Sequence, residues 1–288
     1  MKIAYLIDRD SLGGGMEYIR RKIAAHPEDE CRVFFSGKGE CRARNLNDWR
    51  ADAICAVHLR ALLQALGNPF SRPKAPVTFA VLGLHIRKYD HLPRTFANRV
   101  RRFARWCLEN YLYRRCHEIV VQNKSDAAEI ARLYGKGLKV SLDVPSLGTW
   151  SPPGAVPARN PMWAYLYVAR FEFQKGQDRW LEYVARHADR FRTENGITRF
   201  VGCGSARKDC QAFVRKNGLE DLIQFEDETT DIESRMLQAG TIVSASRWEG
   251  YPYLLMKARA LGCKILATDC PGNRDVLAGY EKWDVLAL

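Results

Sequence analysis

The chain has 288 residues, 47% of them hydrophobic, which excludes a disordered chain and is enough for two ordinary domains with real cores. It contains no apolar run of about 18 residues or more, and the opening MKIAYLIDRD reaches Asp8 before a signal-type region develops, so we expect a cytoplasmic protein. The formal net charge of +12 predicts an anionic partner, which could be a nucleic acid, an anionic membrane or a phosphorylated small molecule.

Short aliphatic runs alternate with helical patterns along the first half of the chain. KIAYLI predicts a strand, and it is followed by a glycine-rich turn and a helix in MEYIRRKIAAH. The same alternation continues through predicted strands in CRVFFS, DAICAVH, PVTFAVLGLH and HEIVVQN, with helices over 94–115 and in KSDAAEIARLY. This is the pattern of βαβ units with a parallel sheet.

A second series of the same kind follows the proline-rich stretch at 146–161, which we interpret as a linker. Its predicted strands are WAYLYVARF, ITRFVGCGS, DLIQFED, GTIVSAS and KILATD, separated by helices, of which one spans about 175–191. The predicted fold class is therefore α/β, with two Rossmann-like parallel-sheet domains, 1–150 and 151–288, facing each other across a cleft. The second domain is expected to be short at its C-terminus, since EKWDVLAL leaves no room for a long closing helix.

Ligands of such sheets bind outside the carboxyl ends of the strands, so the loops after the strands are the candidate sites. SLGGGMEY, residues 11–18, follows the first strand and opens a helix. Its glycines let the backbone approach a ligand, and the N–H groups at a helix N-terminus suit a phosphate. A plain flexible turn is the alternative, because the segment matches neither GxGxxG nor a Walker loop.

Two cations follow the first strand of the second half, in VARFEFQKG. A guanidinium at Arg170 and an ammonium at Lys175 on one loop can bind a diphosphate and stabilise the negative charge that develops as it leaves. Two cations on a loop are often only solvated, but the position after the first Rossmann strand favours function.

One acid stands where a later strand passes into a helix, in SASRWEGYPYLLMKARALG. Gly250 allows a sharp turn and Pro252 favours helix initiation, so Glu249 is expected beside free N–H groups at the start of the helix. Lys257 follows on the same helix, on a stripe that can border a cleft.

These stretches together resemble the retaining glycosyltransferases of the GT-B fold, specifically the family 4, or group 1, enzymes that make polysaccharides, lipopolysaccharides and glycolipids. The resemblance is strongest over about 163–277, where LYVARFEFQKG, ITRFVGCGS, IQFED and IVSASRWEGYPYLLMKARALGCKILATDCPGNRDVL follow the family's order. It is weaker but consistent in MKIAYLIDRDSLGGGMEY and VLGLH.

The resemblance implies a role for each candidate. Arg170 and Lys175 would hold the donor's diphosphate, Gly14 and Gly15 would let the backbone close over it, and Glu249 would bind hydroxyls of the transferred sugar. Such enzymes need no metal or other cofactor, since cationic side chains and helix ends stabilise the charge.

The resemblance also places a cleft histidine at His85, for which an ordinary loop histidine is the alternative. Gly250, Tyr251 and Lys257 complete the implied donor-binding set, and the expected donor is a UDP- or GDP-sugar. Lys257 departs from the family pattern, which has a second glutamate there to accept hydrogen bonds from the nucleotide ribose. An ammonium can only donate, so we expect an active enzyme with altered donor recognition.

The stretch 94–115 is strongly basic, and Phe96, Val100, Phe103 and Cys107 keep helical spacing along it. This pattern is typical of a helix lying on an anionic membrane. The alternative is a helix that packs its apolar stripe on its own sheet. No helix-turn-helix, RNP or zinc-finger pattern is present, so we expect no nucleic-acid partner.

The leading hypothesis is a cytoplasmic glycosyltransferase, peripheral on the inner face of the membrane. It would transfer a sugar from a nucleotide diphosphate donor to a glycan or lipid-linked acceptor of the lipopolysaccharide, O-antigen or capsule type. The alternative is a catalytically degenerate GT-B protein that serves as a binding or scaffold subunit in glycan assembly.

Overall fold

The computed structural model describes residues 1–8, 13–35, 46–68, 73–145 and 161–288. The chain divides into two compact units, Met1–Val144 (unit 1) and Pro145–Leu288 (unit 2). The predicted linker at 146–161 lies, apart from its last residue, outside the described residues. Within the described ranges, no helix combines the length and the hydrophobicity that a membrane crossing requires.

Unit 1 is built on a sheet of six parallel strands in the order β2-β1-β3-β4-β5-β6. The strands are β1 (Lys2–Ile7), β2 (Glu30–Phe35), β3 (Ala53–Val57), β4 (Val77–Val81), β5 (Glu118–Val121) and β6 (Val140–Leu142). The helices are α1 (Gly14–Ala25), α2 (Leu46–Trp49), α3 (Leu59–Leu66), α4 (Phe96–Tyr113) and α5 (Lys124–Tyr134), with a 3₁₀ segment at His85–Asp90.

Unit 2 carries a second sheet of six parallel strands, in the order β12-β11-β10-β7-β8-β9. The strands are β7 (Trp163–Val168), β8 (Thr198–Val201), β9 (Ile223–Glu226), β10 (Ala239–Ser244), β11 (Lys264–Ala267) and β12 (Trp283–Val285). A 3₁₀ turn at Phe173–Lys175 precedes the helices α6 (Gln177–Arg186), α7 (Ala188–Thr193), α8 (Arg207–Lys216), α9 (Ile232–Leu237), α10 (Tyr253–Ala260) and α11 (Pro271–Leu277).

Both sheets are covered by helices on their two faces, which is why their strands are apolar runs without polar alternation. In β1, for example, the last four residues are all buried. Each unit has two hydrophobic clusters, separated by its sheet. The prediction of two α/β, parallel-sheet units is confirmed.

The structure adds elements that the sequence analysis did not predict. The helix α3 carries Leu59, Leu62, Leu63 and Leu66 at helical spacing, a signal that was available in the sequence. The short edge strands β6 and β12 have only three residues each, too few to show a period. The single helix predicted over about 175–191 is wrong: the chain forms α6 and α7, which are separated at His187 by a non-helical conformation (φ −123°, ψ 24°).

The helix α4 presents its apolar stripe to solvent. Phe96 is 80% exposed, Val100 50% and Phe103 65%, and Cys107 is exposed as well. The helix is held to unit 1 by its C-terminal half, where Leu112 and Tyr113 are buried in the core. The alternative in which the stripe packs on its own sheet is therefore wrong.

Candidate functional site

The strand order of unit 2 reverses between β7 and β10, since the chain builds outward from β7 to β9 and then returns to the other side of β7. This reversal is the switch point at which doubly wound sheets bind their ligands. The loop after β7 spans 169–176 and the loop after β10 spans 245–252. Arg170 and Lys175 lie in the first loop and Glu249 in the second, so the fold brings the loops of all three predicted residues to this point.

Lys175 and Glu249 form an ion pair between the two loops. Nζ of Lys175 donates to Oε1 of Glu249 at 2.7 Å, and Ser246 Oγ donates to the same oxygen at 2.7 Å. The Glu249 side chain is only 7% exposed, so these hydrogen bonds provide the polar partners that a buried carboxylate requires. Two N–H groups of the ammonium are without another partner among the described residues and can donate to a ligand.

Arg247 ties the loops together beside this pair. Its guanidinium binds the Asp178 carboxylate through two hydrogen bonds of 2.8 and 2.6 Å and donates to the Phe173 carbonyl at 2.7 Å. Its backbone N–H donates to the Gln174 carbonyl at 2.8 Å, and Gln174 Nε2 donates to the Trp248 carbonyl at 3.0 Å. The relative position of Lys175 and Glu249 is therefore fixed by hydrogen bonds between the loop after β7 and the loop after β10.

The close approach of the loops requires a glycine at position 176. Gly176 has φ +69°, and a Cβ there would lie 2.1 Å from the Ala245 carbonyl oxygen. Tyr167, at the end of β7, bridges the same gap: its hydroxyl donates to the Lys175 carbonyl and accepts from the Ala245 N–H at 2.9 Å. Burial raises the pKa of Tyr167 well above its usual range, so the hydroxyl keeps the proton that it donates.

Arg170 lies on the surface of the first loop. Its side chain is 36% exposed, and its guanidinium makes an ion pair of 3.0 Å with Glu172 of the same loop. An exposed pair of this kind contributes little to stability, so the guanidinium can exchange its partner for a phosphate at small cost.

The remaining donor-site candidates lie around the start of α10. Gly250 and Tyr251 are buried, and the Tyr251 hydroxyl donates to the Pro145 carbonyl at 3.0 Å. Lys257 lies on α10, where its Nζ donates to Oε1 of Glu233 on α9 at 2.8 Å. Glu233 could not be singled out from the sequence, since nothing in its local pattern distinguishes it from a surface acid.

The candidates of unit 1 lie at the equivalent edge of their own sheet. Gly14 is exposed and Gly15 buried at the start of α1, and His85 is exposed at the start of its 3₁₀ segment. A Cβ on Gly15 would lie 2.7 Å from Nε2 of His58, a residue that follows β3 with an unusual positive φ of +78°. His58 and His85 line one small cavity, which sequence reasoning missed because no motif marks His58.

A group that could hold a metal ion occurs at the opposite edge of unit 1. The ligand atoms of His26, Glu28 and Asp29 lie within 4.8 Å of one another. Asp29 already accepts a hydrogen bond from the N-terminal ammonium at 2.7 Å, and the group follows the C-terminal end of α1, whereas Gly14 and Gly15 lie at its N-terminal end.

Comparison with known proteins finds a family model that matches part of this chain. Residues 156–283 match the family model described as glycosyl transferases group 1. The match includes the loops with Arg170, Lys175 and Glu249. The resemblance to group 1 glycosyltransferases is thereby confirmed over this part of the chain.

Two relatives match part of the chain. The Vi polysaccharide biosynthesis protein VipC/TviE of Salmonella typhi is 26% identical over 110 residues, which cover 38% of this chain and 18% of that protein. The lipopolysaccharide 1,6-galactosyltransferase of Salmonella typhimurium is 26% identical over 129 residues, 42% of this chain and 34% of that enzyme. The matched regions thus span about a third or less of the length of these relatives.

A solved structure matches nearly the whole chain. The Anabaena protein Alr3699/HepE, crystallised with UDP-glucose, is similar with a TM-score of 0.70 and 15% identity over 96% of this chain and 82% of that one. At this identity the similarity concerns the fold, and it confirms the GT-B fold class, with its pair of Rossmann-like units.

Proposed function

We propose, from the match of residues 156–283 to group 1 glycosyl transferases, that this chain is a retaining, metal-independent glycosyltransferase with a nucleotide diphosphate sugar as donor. The observation that carries the proposal is the ion pair between Lys175 and Glu249 at the switch point of unit 2. A carboxylate that accepts from sugar hydroxyls and cations that bind a diphosphate are the two groups that such a donor requires. A UDP- or GDP-sugar is the proposed donor, in keeping with the UDP-glucose bound by the similar Anabaena protein.

The diphosphate is bound by the loop after β7. Arg170 exchanges Glu172 for a phosphate oxygen, while Lys175 keeps Glu249 and donates its other N–H groups to the diphosphate. The two positive charges then stabilise the negative charge that builds up on the leaving phosphate. Gly14, Gly15 and the buried Gly250 and Tyr251 shape the backbone around the donor in this proposal.

The sugar is oriented by Glu249, whose carboxylate is held by Lys175 and Ser246. The bond between the anomeric carbon and the phosphate oxygen breaks, and the acceptor hydroxyl forms the new glycosidic bond on the same face. Its proton passes to an oxygen of the leaving diphosphate, so no side chain is needed as a covalent nucleophile. His85 is proposed to contact the sugar or the phosphate from unit 1.

The activity is tested by incubating the purified protein with a panel of UDP- and GDP-sugars and measuring nucleotide release and sugar transfer. We expect one donor to be consumed, with lipid-linked glycans as acceptors, and the anomeric configuration of the product to match that of the donor. A donor that stays intact, together with no binding of UDP or GDP, would instead support the scaffold alternative.

The acceptor class is proposed from α4. Its exposed apolar stripe of Phe96, Val100 and Phe103 lies on a helix whose arginines at positions 99 and 101 are exposed as well. Apolar side chains flanked by cations match the interface of an anionic bilayer, where a lipid-linked acceptor is presented. This stripe supports the proposal that the protein binds the inner face of the membrane. The proposed acceptor is a glycan or lipid-linked glycan of the lipopolysaccharide, O-antigen or capsule type.

Membrane binding is tested by cosedimentation with vesicles of phosphatidylcholine, with and without phosphatidylglycerol. The double substitution Phe96→Ser and Phe103→Ser should weaken binding to the anionic vesicles by at least about tenfold, because two apolar anchors are lost. Met162→Ser is the matched control, since it removes an apolar side chain of similar exposure from unit 2. Equal vesicle binding by the wild type and the double variant would contradict the proposal.

A further inference from the structure

An ion pair joins α10 to α9 near the proposed donor site. Lys257 Nζ donates to Glu233 Oε1 at 2.8 Å, and the two side chains are partly buried. The helix α10 begins directly after the loop that carries Glu249, and Glu233 lies in the first turn of α9, which follows the carboxyl end of β9. Glu233 therefore lies toward the edge of the sheet where ligands of this fold bind, and Lys257 contacts it from the last turn of α10.

The pair supplies a hydrogen-bond acceptor that Lys257 alone lacks. An ammonium has only donors, whereas the hydroxyls of a ribose need an acceptor for the protons that they donate. Among the described residues, Lys257 is the one partner of the Glu233 carboxylate, and it occupies only Oε1. The second oxygen, Oε2, can accept hydrogen bonds from a ligand.

We infer that Glu233, held by Lys257, binds the ribose hydroxyls of the nucleotide donor. The inference rests on the proposed function and adds the residues that recognise the nucleoside. Lys257 is the positioning residue, since it fixes the rotamer of Glu233 before the ligand arrives and so lowers the entropy lost on binding. Its positive charge also offsets the repulsion between the Glu233 carboxylate and the donor's diphosphate.

The test compares nucleotides with and without the ribose 2′-hydroxyl. Isothermal titration with UDP, 2′-deoxy-UDP, GDP and 2′-deoxy-GDP gives the dissociation constants of the wild type, Glu233→Gln and Lys257→Met. Glu194→Gln is the matched control, since that acid pairs with Arg190 on α7, in the same unit. Thermal midpoints show that each variant is folded, and Lys257→Met tests the inference should Glu233→Gln fail to fold.

The wild type should bind one ribonucleotide more tightly than its deoxy form. Glu233→Gln should weaken ribonucleotide binding by about 10- to 100-fold and bring the ratio of the two dissociation constants close to one. Lys257→Met should reduce the same ratio, and the double variant should bind no more weakly than Glu233→Gln. A purely structural ion pair would leave this ratio unchanged.

Different results would contradict the inference and the proposed function. The inference would be overturned if both Glu233→Gln and Lys257→Met kept the wild-type ratio of the deoxynucleotide to the ribonucleotide dissociation constant. The proposed function would still stand as long as UDP or GDP binds. A wild type that binds none of the four nucleotides would overturn the proposed function and the inference together.

Discussion

The two units use the same edge of the same kind of sheet in different ways. In unit 2 charged side chains join the loop after β10 to the loop after β7 and to the start of α6, through the ion pairs of Lys175 with Glu249 and of Arg247 with Asp178. The charged pairs of unit 2 thus hold the loops of the candidate site together at the switch point. In unit 1 the elements after β1 and β3 approach closely at Gly15 and His58, and its charged pair at this edge, Arg87 with Asp126, joins the elements after β4 and β5.

This difference shows that strand order alone does not specify a site. A parallel sheet brings certain loops together, and the residues in those loops decide whether they form a charged site or a packing contact. Because the charged network of the candidate site lies at the switch point of unit 2, substitutions there should affect chemistry and stability more strongly than a substitution at the contact of Gly15 with His58.

The largest effect is expected from removal of the Glu249 carboxylate. Glu249→Ala deletes the carboxylate that is proposed to accept hydrogen bonds from the transferred sugar, and it leaves Lys175 without its partner. The transfer rate should therefore fall by about 100- to 1000-fold. The measurement is the rate of sugar transfer under donor saturation, with Glu194→Gln as the control for loss of an acid elsewhere in unit 2. An unchanged rate would remove Glu249 from the site.

Gly176→Ala tests the close approach of the two loops. The new methyl group would meet the Ala245 carbonyl oxygen at 2.1 Å, and the residue would keep a φ of +69° that only glycine adopts easily. Clash and backbone strain together should lower the free energy of unfolding by about 3 kcal/mol. Gly218→Ala is the matched control because Gly218 has a similar φ of +61° with no atom near its Cβ position, so it should cost only about 1 kcal/mol.

Equal losses for Gly176→Ala and Gly218→Ala in urea unfolding would mean that the loops separate at little cost. The unit 2 site would then not be held in place before a ligand binds, and the contrast between the units would fail.

Gly15→Ala applies the same change to unit 1 and should cost less. Its methyl group would meet the His58 ring at 2.7 Å and the Ile7 side chain at 2.8 Å, both of which belong to side chains that can shift. We expect a loss of about 1 to 2 kcal/mol in the free energy of unfolding, measured alongside Gly176→Ala. A loss larger than that of Gly176→Ala would reverse the proposed order of rigidity.

The smallest effect is expected in the pH dependence of folding stability, to which Asp178 of unit 2 and Asp126 of unit 1 should contribute with opposite sign. Burial acts to raise the pKa of Asp178, but the hydrogen bonds and charge of Arg247 outweigh it and hold the pKa below its ordinary value of 3.8. The pKa of Asp126 lies above 3.8, because burial outweighs the opposing charge of Arg87. The contribution of Asp178 to stability is therefore lost as the pH falls through its lowered pKa, and that of Asp126 is lost as the pH rises through its raised pKa.

Thermal midpoints between about pH 2 and pH 7 check these signs. The deficit of Asp178→Asn relative to the wild type should shrink on acidification below about pH 4, whereas that of Asp126→Asn should grow as the pH falls toward about 4. For the half-exposed Asp178, the pH-dependent part of the stability difference should be well under about 1 kcal/mol, because solvent screens its pair with Arg247. Parallel pH profiles for the wild type and both variants would contradict the assignment.

The sequence was sufficient to predict the parallel α/β units, because buried strands and amphipathic helices leave a periodic record along the chain. It was insufficient for the strands β6 and β12, because three residues are too few to show a periodic pattern. It was also insufficient for the break at His187, where tertiary packing decides the backbone conformation. The solvent exposure of Phe96 and Phe103 could not be read from spacing, since the same stripe fits a buried or an exposed helix face.

For the candidate site, the sequence predicted Arg170, Lys175 and Glu249 from motifs in a familiar order. It gave no sign that Lys175 and Glu249 would pair directly, because residues in separate loops share no local pattern. The contact of Lys257 with Glu233 was hidden for the same reason. Motifs thus identified the residue types, and only the fold identified their partners.

The most direct test of the central claim is a crystal structure of the protein with UDP or GDP bound. The account predicts the diphosphate at the switch point of unit 2, within hydrogen-bonding distance of Arg170 and Lys175, with Arg170 released from Glu172. A nucleotide bound elsewhere, with the pair of Arg170 and Glu172 intact, would contradict the account.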